Sequence, residues 1–134
     1  MKIGESAEMY LETILMLSKK GDVHAIDIVR KMDFSRPTVS IAIHNLEKEG
    51  YLKINDESHI FLEPKGLEIA QKIYERHTVL TEMLVKLGVS ENAASEDACK
   101  IEHDISDETF NCIKKFVKKT KISSIKKKEI WKKI

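Results

Sequence analysis

Tyr10, Leu11, Ile14, Leu15 and Leu17 recur at helical spacing, so residues 5–19 are expected to fold as a helix that Gly21-Asp22 ends. Met9, Glu12 and Met16 lie together to one side of that stripe. Residues 25–32, AIDIVRKM, predict a short second helix, and Asp33-Phe34 a turn. Ser35 is a good N-cap, and Pro37 suits the first turn of a third helix, where its missing N–H has no helical partner. That helix runs to about Glu49 with Val39, Ile43 and Leu46 facing inward, and Gly50 stops it. The period then changes. Tyr51–Ile54 and His59–Leu62 are short strand-like runs around the turn-prone Asn55-Asp56-Glu57-Ser58. Helix, short helix, turn, helix and hairpin in this order predict a winged helix-turn-helix.

Pro64-Lys65-Gly66 marks a boundary, and a long helix over 65–87 follows. Along it Ala70, Ile73, His77, Leu80, Leu84 and Leu87 alternate gaps of three and four residues, a packing seam of coiled-coil type whose natural use is a homodimer. Gly88 closes it. Ser90–His103 predicts one helix or two short ones, and Ser106–Lys119 a further helix with Phe110, Ile113, Phe116 and Val117 on one face. Residues 122–133 are weakly amphipathic, with Ile122, Ile125, Ile130 and Trp131 as anchors. The expected fold is mainly α: a winged helix-turn-helix over 1–63, then a helical dimerisation and metal-binding domain over 64–134 that ends in a lysine-rich helix.

The 134 residues suffice for one compact domain or two small ones, and 42% hydrophobic with 34% charged residues is ordinary for a soluble, helix-rich chain. No apolar run approaches a membrane span, and the first residues lack the pattern of a secretion signal. Two cysteines, Cys99 and Cys112, make no disulfide framework, so reduced thiols and a cytoplasmic location are expected. Charge is uneven. Residues 1–112 carry 13 basic and 21 acidic side chains, whereas the remainder has ten lysines against the single acid Glu129. The basic tail is suited to phosphates or is a solvated helix. Residues 1–63 hold 8 basic and 11 acidic groups, fewer cations than a DNA reader usually has, so binding would rest on local placement of Lys19, Lys20, Arg30, Lys31, Arg36 and Lys53, or on added metal charge and the tail.

The run Cys99-Lys100-Ile101-Glu102-His103 brings candidate chemistry. Its three metal-capable side chains fall at i, i+3 and i+4 and share one face of a helix. A thiolate, a carboxylate and an imidazole together suit a transition metal better than calcium or magnesium. Met9 and Glu12, at i and i+3 on the first helix, are the second half of this candidate site, and a metal between the two helices would link a sensor to a DNA reader. In the reader, the start of the third helix offers Ser35, Arg36, Pro37, Thr38, Ser40 and Ile41 to the major groove. Serine and threonine bond phosphates or bases, Pro37 and Ile41 suit thymine methyls, and Arg36 suits guanine or a phosphate. His24, His44 and His59 have no ligand-like partners at useful spacing, and Cys112 is expected in the core or on the surface. Nothing supplies an activated nucleophile, so no catalytic residue and no small-molecule substrate are assigned; a non-enzymatic regulator is expected. A winged-helix regulator sensing a small organic ligand is the alternative.

SAEMYLETI, RPTVS, NLEKEGYL, TVLTEML and SEDACKIEHDIS together make the chain resemble the diphtheria-toxin-repressor and manganese-transport-regulator family of metal-dependent repressors, in its two-domain branch. The resemblance implies a homodimer that binds a palindromic operator in double-stranded DNA when loaded with Fe(II) or Mn(II). It places the metal on Met9, Glu12, His77, Cys99, Glu102 and His103. Met9 and Cys99 match the iron branch and Glu12 the manganese branch. Thr81 and Ser95 stand where an ancillary second site would have a carboxylate and a histidine, and Ile41 where the iron branch has glutamine. By softness, thioether and thiolate favour Fe(II), with Co(II), Ni(II) and Zn(II) also able to bind, over Mn(II); with availability in the cell considered, Fe(II) comes first and Mn(II) second.

Overall fold

Hydrogen-bond and packing requirements of the segments above produce six helices and one hairpin in the computed structural model, which describes residues 4–119. The elements are α1 (Glu5–Ser18), α2 (Ala25–Met32), α3 (Arg36–Lys48), β1 (Leu52–Ile54), β2 (Ile60–Leu62), α4 (Pro64–Lys86), α5 (Glu91–Ile101) and α6 (Asp107–Lys119). The lysine-rich segment 122–133, with Ile122, Ile125, Ile130 and Trp131, lies outside the described residues. The described residues form two compact units that divide between Ile73 and Tyr74, within α4.

In the first unit the apolar stripe of α1 meets α2, α3 and the hairpin. Tyr10, Leu11, Ile14, Val23, Ile28, Val39, Ile43, Leu46, Tyr51, Leu52, Ile60 and Ala70 form one buried cluster. Local signals set the element ends. Asp27 Oδ2 accepts from the His24 N–H at 2.9 Å at the start of α2, and Asp33 closes that helix in the left-handed region. Ser35 caps α3 by accepting from the Thr38 N–H at 3.3 Å. β1 and β2 are antiparallel, with Leu52 opposite Leu62, Lys53 opposite Phe61 and Ile54 opposite Ile60. Each strand begins one residue later than the sequence pattern suggests. Tyr51 instead donates its N–H to the Leu46 carbonyl, and the His59 N–H bonds to Asn55 Oδ1. Two tethers hold the wing. The Ile54 N–H donates to Glu47 Oε2 on α3 at 2.9 Å, and the Ile60 N–H donates to the Val23 carbonyl at 2.8 Å. Gly66 is required sterically, because a Cβ there would stand 2.0 Å from the Tyr51 carbonyl oxygen.

In the second unit, Leu80, Val85, Ala94, Ala98, Phe110 and Val117 are buried. Ser90 caps α5 by accepting from the Ala93 N–H, and Ser106 accepts from the Thr109 N–H at the start of α6. Two residues depart from the sequence pattern. Leu87 lies just beyond the end of α4 and is 70% exposed in the single chain. Phe116 is 59% exposed, because burial on α6 follows Phe110 and Val117, two turns apart. No helix among the described residues is long and apolar enough to cross a membrane.

Candidate metal centre

α4 and α5 bring together three side chains that lie up to 25 residues apart. The His77 Nδ1–H donates to Glu102 Oε2 at 3.0 Å, and Cys99 Sγ lies 3.8 Å from the same nitrogen. The ligand atoms of His77, Cys99 and Glu102 all lie within 4.8 Å of one another. The helix places Cys99 and Glu102 on one face because Glu102, the C-cap of α5, keeps α-helical backbone angles and donates its N–H to the Ala98 carbonyl. His103 follows in the turn that leaves the helix, with Nε2 at 3.4 Å from Glu102 Oε1.

Burial is graded across this group. Glu102 is 0% exposed, His103 is buried, His77 is partly buried and Cys99 is open to solvent. Glu102 Oε1 accepts no hydrogen bond among the described residues. A buried carboxylate oxygen left without a donor is costly. The donor set of carboxylate, thiol and two imidazoles fits a divalent transition metal, which would satisfy that oxygen. The His77 proton serves the other carboxylate oxygen, Oε2. The Cys99 sulfur and then the Glu102 carboxylate raise the His77 pKa from 6.5 to about 10, against the opposing effect of burial.

Met9 and Glu12 sit on α1 in the first unit, one turn apart, Met9 exposed and Glu12 buried. Thr81 donates its hydroxyl to the His77 carbonyl at 2.7 Å, and Ser95 Oγ lies 3.4 Å from His77 Nε2. The ring is thus flanked by α5 side chains at both nitrogens. Cys112 is exposed on α6.

The candidate reader face is continuous. Ser35, Arg36, Pro37, Thr38, Ser40 and Ile41 are all exposed while Val39 between them is fully buried, so the start of α3 presents its polar face outward. Ile41 is 64% exposed, which is unusual for an isoleucine in a folded unit and fits an apolar contact surface. His44, one turn after Ser40, extends this face; its Nδ1 lies 2.7 Å from the Ser40 carbonyl oxygen. The i, i+4 spacing from Ser40 is the signal that identifies it.

Two features have no sequence signal of their own. His24 and His59, 35 residues apart, meet edge to face with ring centroids 4.5 Å apart. Arg76, beside His77, is buried and bonds to the Glu102 carbonyl.

Comparison with known proteins gives a consistent picture. Residues 2–60 match the family model "Iron dependent repressor, N-terminal DNA binding domain", and residues 63–132 match "Iron dependent repressor, metal binding and dimerisation domain". An uncharacterised HTH-type transcriptional regulator of Methanocaldococcus jannaschii is 33% identical over 122 residues, 89% of this chain and 98% of that protein. The transcriptional regulator MntR of Salmonella typhimurium is 31% identical over 113 residues, 84% of this chain and 72% of that protein. The structure of the manganese regulator SloR superimposes with a TM-score of 0.74 at 27% identity, over 88% of this chain. The match covers 55% of the SloR chain, so this chain spans about half its length.

Proposed function

The chain belongs to the iron-dependent repressor family, and from that premise we propose that it is a metal-dependent DNA-binding transcriptional repressor of iron or manganese homeostasis genes. The observation that carries this reading is the convergence of His77 and Cys99 on Glu102, whose buried Oε1 lacks a hydrogen-bond donor. Residues 1–63 are the DNA-binding part and 64–134 the sensing and dimerising part. The alternative of an organic-ligand sensor is not favoured, because the model matched by the second half is a metal-binding one.

His77, Cys99, Glu102 and His103 supply donors from the second unit, and Met9 and Glu12 supply theirs from α1. Spacing in the sequence and the family pattern support the assignment of Met9 and Glu12. A bound divalent ion supplies positive charge and several directed bonds to these donors. With the charges of Glu12 and Glu102 neutralised, the ion would tie α1 to the sensing residues. In a homodimer this sets the separation of the two α3 helices, which must approach one helical turn of DNA, roughly 34 Å, or a multiple. Coupling of this kind is typically about 1–3 kcal/mol, or roughly 5–150-fold in affinity.

Ser35, Arg36, Pro37, Thr38, Ser40 and Ile41 meet a palindromic operator in the major groove. The thioether of Met9 and the thiolate of Cys99 favour Fe(II), with Mn(II) second and Co(II), Ni(II) and Zn(II) able to bind in vitro. SloR is named a manganese regulator, which speaks for that protein; the two sulfur donors here are the reason for ranking iron first.

Anaerobic retention of genomic DNA fragments by the purified chain, with Fe(II), with Mn(II) and with chelator, tests the reading. Fragments held only with metal are expected. Equal retention with chelator, or none in any condition, would refute it.

A further inference from the structure

Glu102 is gripped at both ends by consecutive residues of α4. His77 binds its side chain, and Arg76 binds its backbone. Arg76 is 5% exposed. Its Nη1 donates to the carbonyls of Glu102 at 3.1 Å and Ile105 at 2.9 Å, and its Nη2 pairs with the Asp107 carboxylate in the first turn of α6. The guanidinium carbon also stands 5.2 Å from the centre of the Phe110 ring. One planar fork therefore holds residues 102–107, the segment that carries Glu102 and His103 out of α5.

We propose that Arg76 is the positioning residue of the metal centre: it fixes the backbone from Glu102 to Asp107 and so sets where Glu102 and His103 present their donors. This rests on the reading of the 77/99/102/103 group as the metal centre. α5 ends at Ile101, so no further turn of helix accepts or orients the Glu102 carbonyl. Glu102 still has helical angles and the N–H bond to Ala98, but its carbonyl and the chain from His103 to Asp107 lie beyond what α5 holds.

A purely structural cap explains the arrangement less well. The guanidinium is buried with its Nε lacking a hydrogen-bond partner among the described residues. Burying a charge incurs a desolvation penalty that an ion pair often fails to recover. A neutral donor would satisfy one carbonyl without that penalty. What a neutral donor lacks is the rigid fork that spans two carbonyls and a carboxylate at once.

Co(II) binding to the full chain tests this, because the Cys99 sulfur gives a charge-transfer band and the ligand-field bands report coordination geometry. In Arg76→Gln, Co(II) affinity should fall roughly 10–100-fold, the usual range for residues that orient metal ligands. The ligand-field bands should shift toward those of Glu102→Gln while the Cys99 band persists. Arg76→Lys should recover part of the affinity. Melting of each metal-free variant, followed by circular dichroism, separates these effects from loss of fold. If Arg76→Gln does not fold, Asp107→Asn carries the test, since the Asp107 side chain is 66% exposed; weaker Co(II) binding at an unchanged melting temperature is then expected. Wild-type affinity and spectrum in the variant that carries the test would overturn the role of Arg76. Failure of the wild-type chain to bind Co(II) would instead overturn the metal-centre reading beneath it.

Discussion

His77 Nδ1 and Glu102 Oε2 lie 3.0 Å apart, with Cys99 Sγ 3.8 Å from the same nitrogen, so a proton on that imidazole occupies the space among three metal-capable groups. The Cys99 sulfur and the Glu102 carboxylate hold the His77 pKa at about 10, above the ordinary 6.5. At neutral pH, binding a metal through this nitrogen therefore expels a proton. Calorimetric titration in two buffers of different ionisation enthalpy should show about one more proton released by the wild-type chain than by His77→Gln. The same shift acts on the metal-free fold. A raised pKa adds stability that is complete below 6.5 and is lost as pH rises through about 10. Urea unfolding of the metal-free chain should show this decline across that interval, and His77→Gln should flatten it.

Among the proposed donors, Glu102 should have the least tolerance for change. It is fully buried, it meets both His77 and His103, and its Oε1 has no hydrogen-bond donor among the described residues. Glu102→Gln keeps the volume and removes the charge. Metal affinity should fall by more than the roughly 10–100-fold typical of residues outside the coordination sphere. Equilibrium dialysis with Mn(II) measures the loss directly.

Metal preference should follow the sulfur donors. Replacing Met9 with Asp and Cys99 with Glu exchanges two soft ligands for hard ones and should move the response from Fe(II) toward Mn(II). Anaerobic DNA-binding titrations with each metal read the shift; an unchanged order of metals would discredit the softness argument.

On α3, Arg36 and Ile41 are expected to make separable contributions to DNA binding. If Arg36 reads guanine with both of its end nitrogens, Arg36→Ala should cost about 1–3 kcal/mol and relax selectivity at one operator position. A uniform loss across sequences, with a smaller salt dependence, would mark Arg36 as a phosphate contact instead. Ile41→Ala should weaken binding where a thymine methyl is met and leave the salt dependence unchanged.

Gly66 tests the packing of α4 against the end of the reader. A methyl group there would meet the Tyr51 carbonyl oxygen at 2.0 Å, and backbone cannot yield as a flexible side chain does. Gly66→Ala should destabilise the chain by at least about 1–3 kcal/mol in urea unfolding.

Much of this architecture is written in local patterns. Ser35 and Pro37 announce the start of α3, and the stripe of Tyr10, Leu11 and Ile14 identifies the buried face of α1. The i, i+3, i+4 spacing of Cys99, Glu102 and His103 is legible because a helix converts spacing into a shared face. What escapes such reading depends on contacts distant in sequence. Arg76 looks like one more surface charge on a long helix, and only the turn after α5, 26 residues on, makes it a buried anchor. Leu87 and Phe116 fit their apolar patterns yet are exposed in the single chain, because periodicity marks an apolar face without saying what covers it. His24 and His59 show no useful spacing; their rings meet where the neighbouring Ile60 N–H bonds to the Val23 carbonyl.

The most direct test of metal-dependent DNA binding is reciprocity. Operator affinity should be measured by fluorescence anisotropy with and without Fe(II), and Fe(II) affinity with and without operator DNA, all under anaerobic conditions. The account predicts the same coupling factor from both directions, in the range of roughly 5–150-fold. An operator affinity unchanged by removing the metal would contradict it.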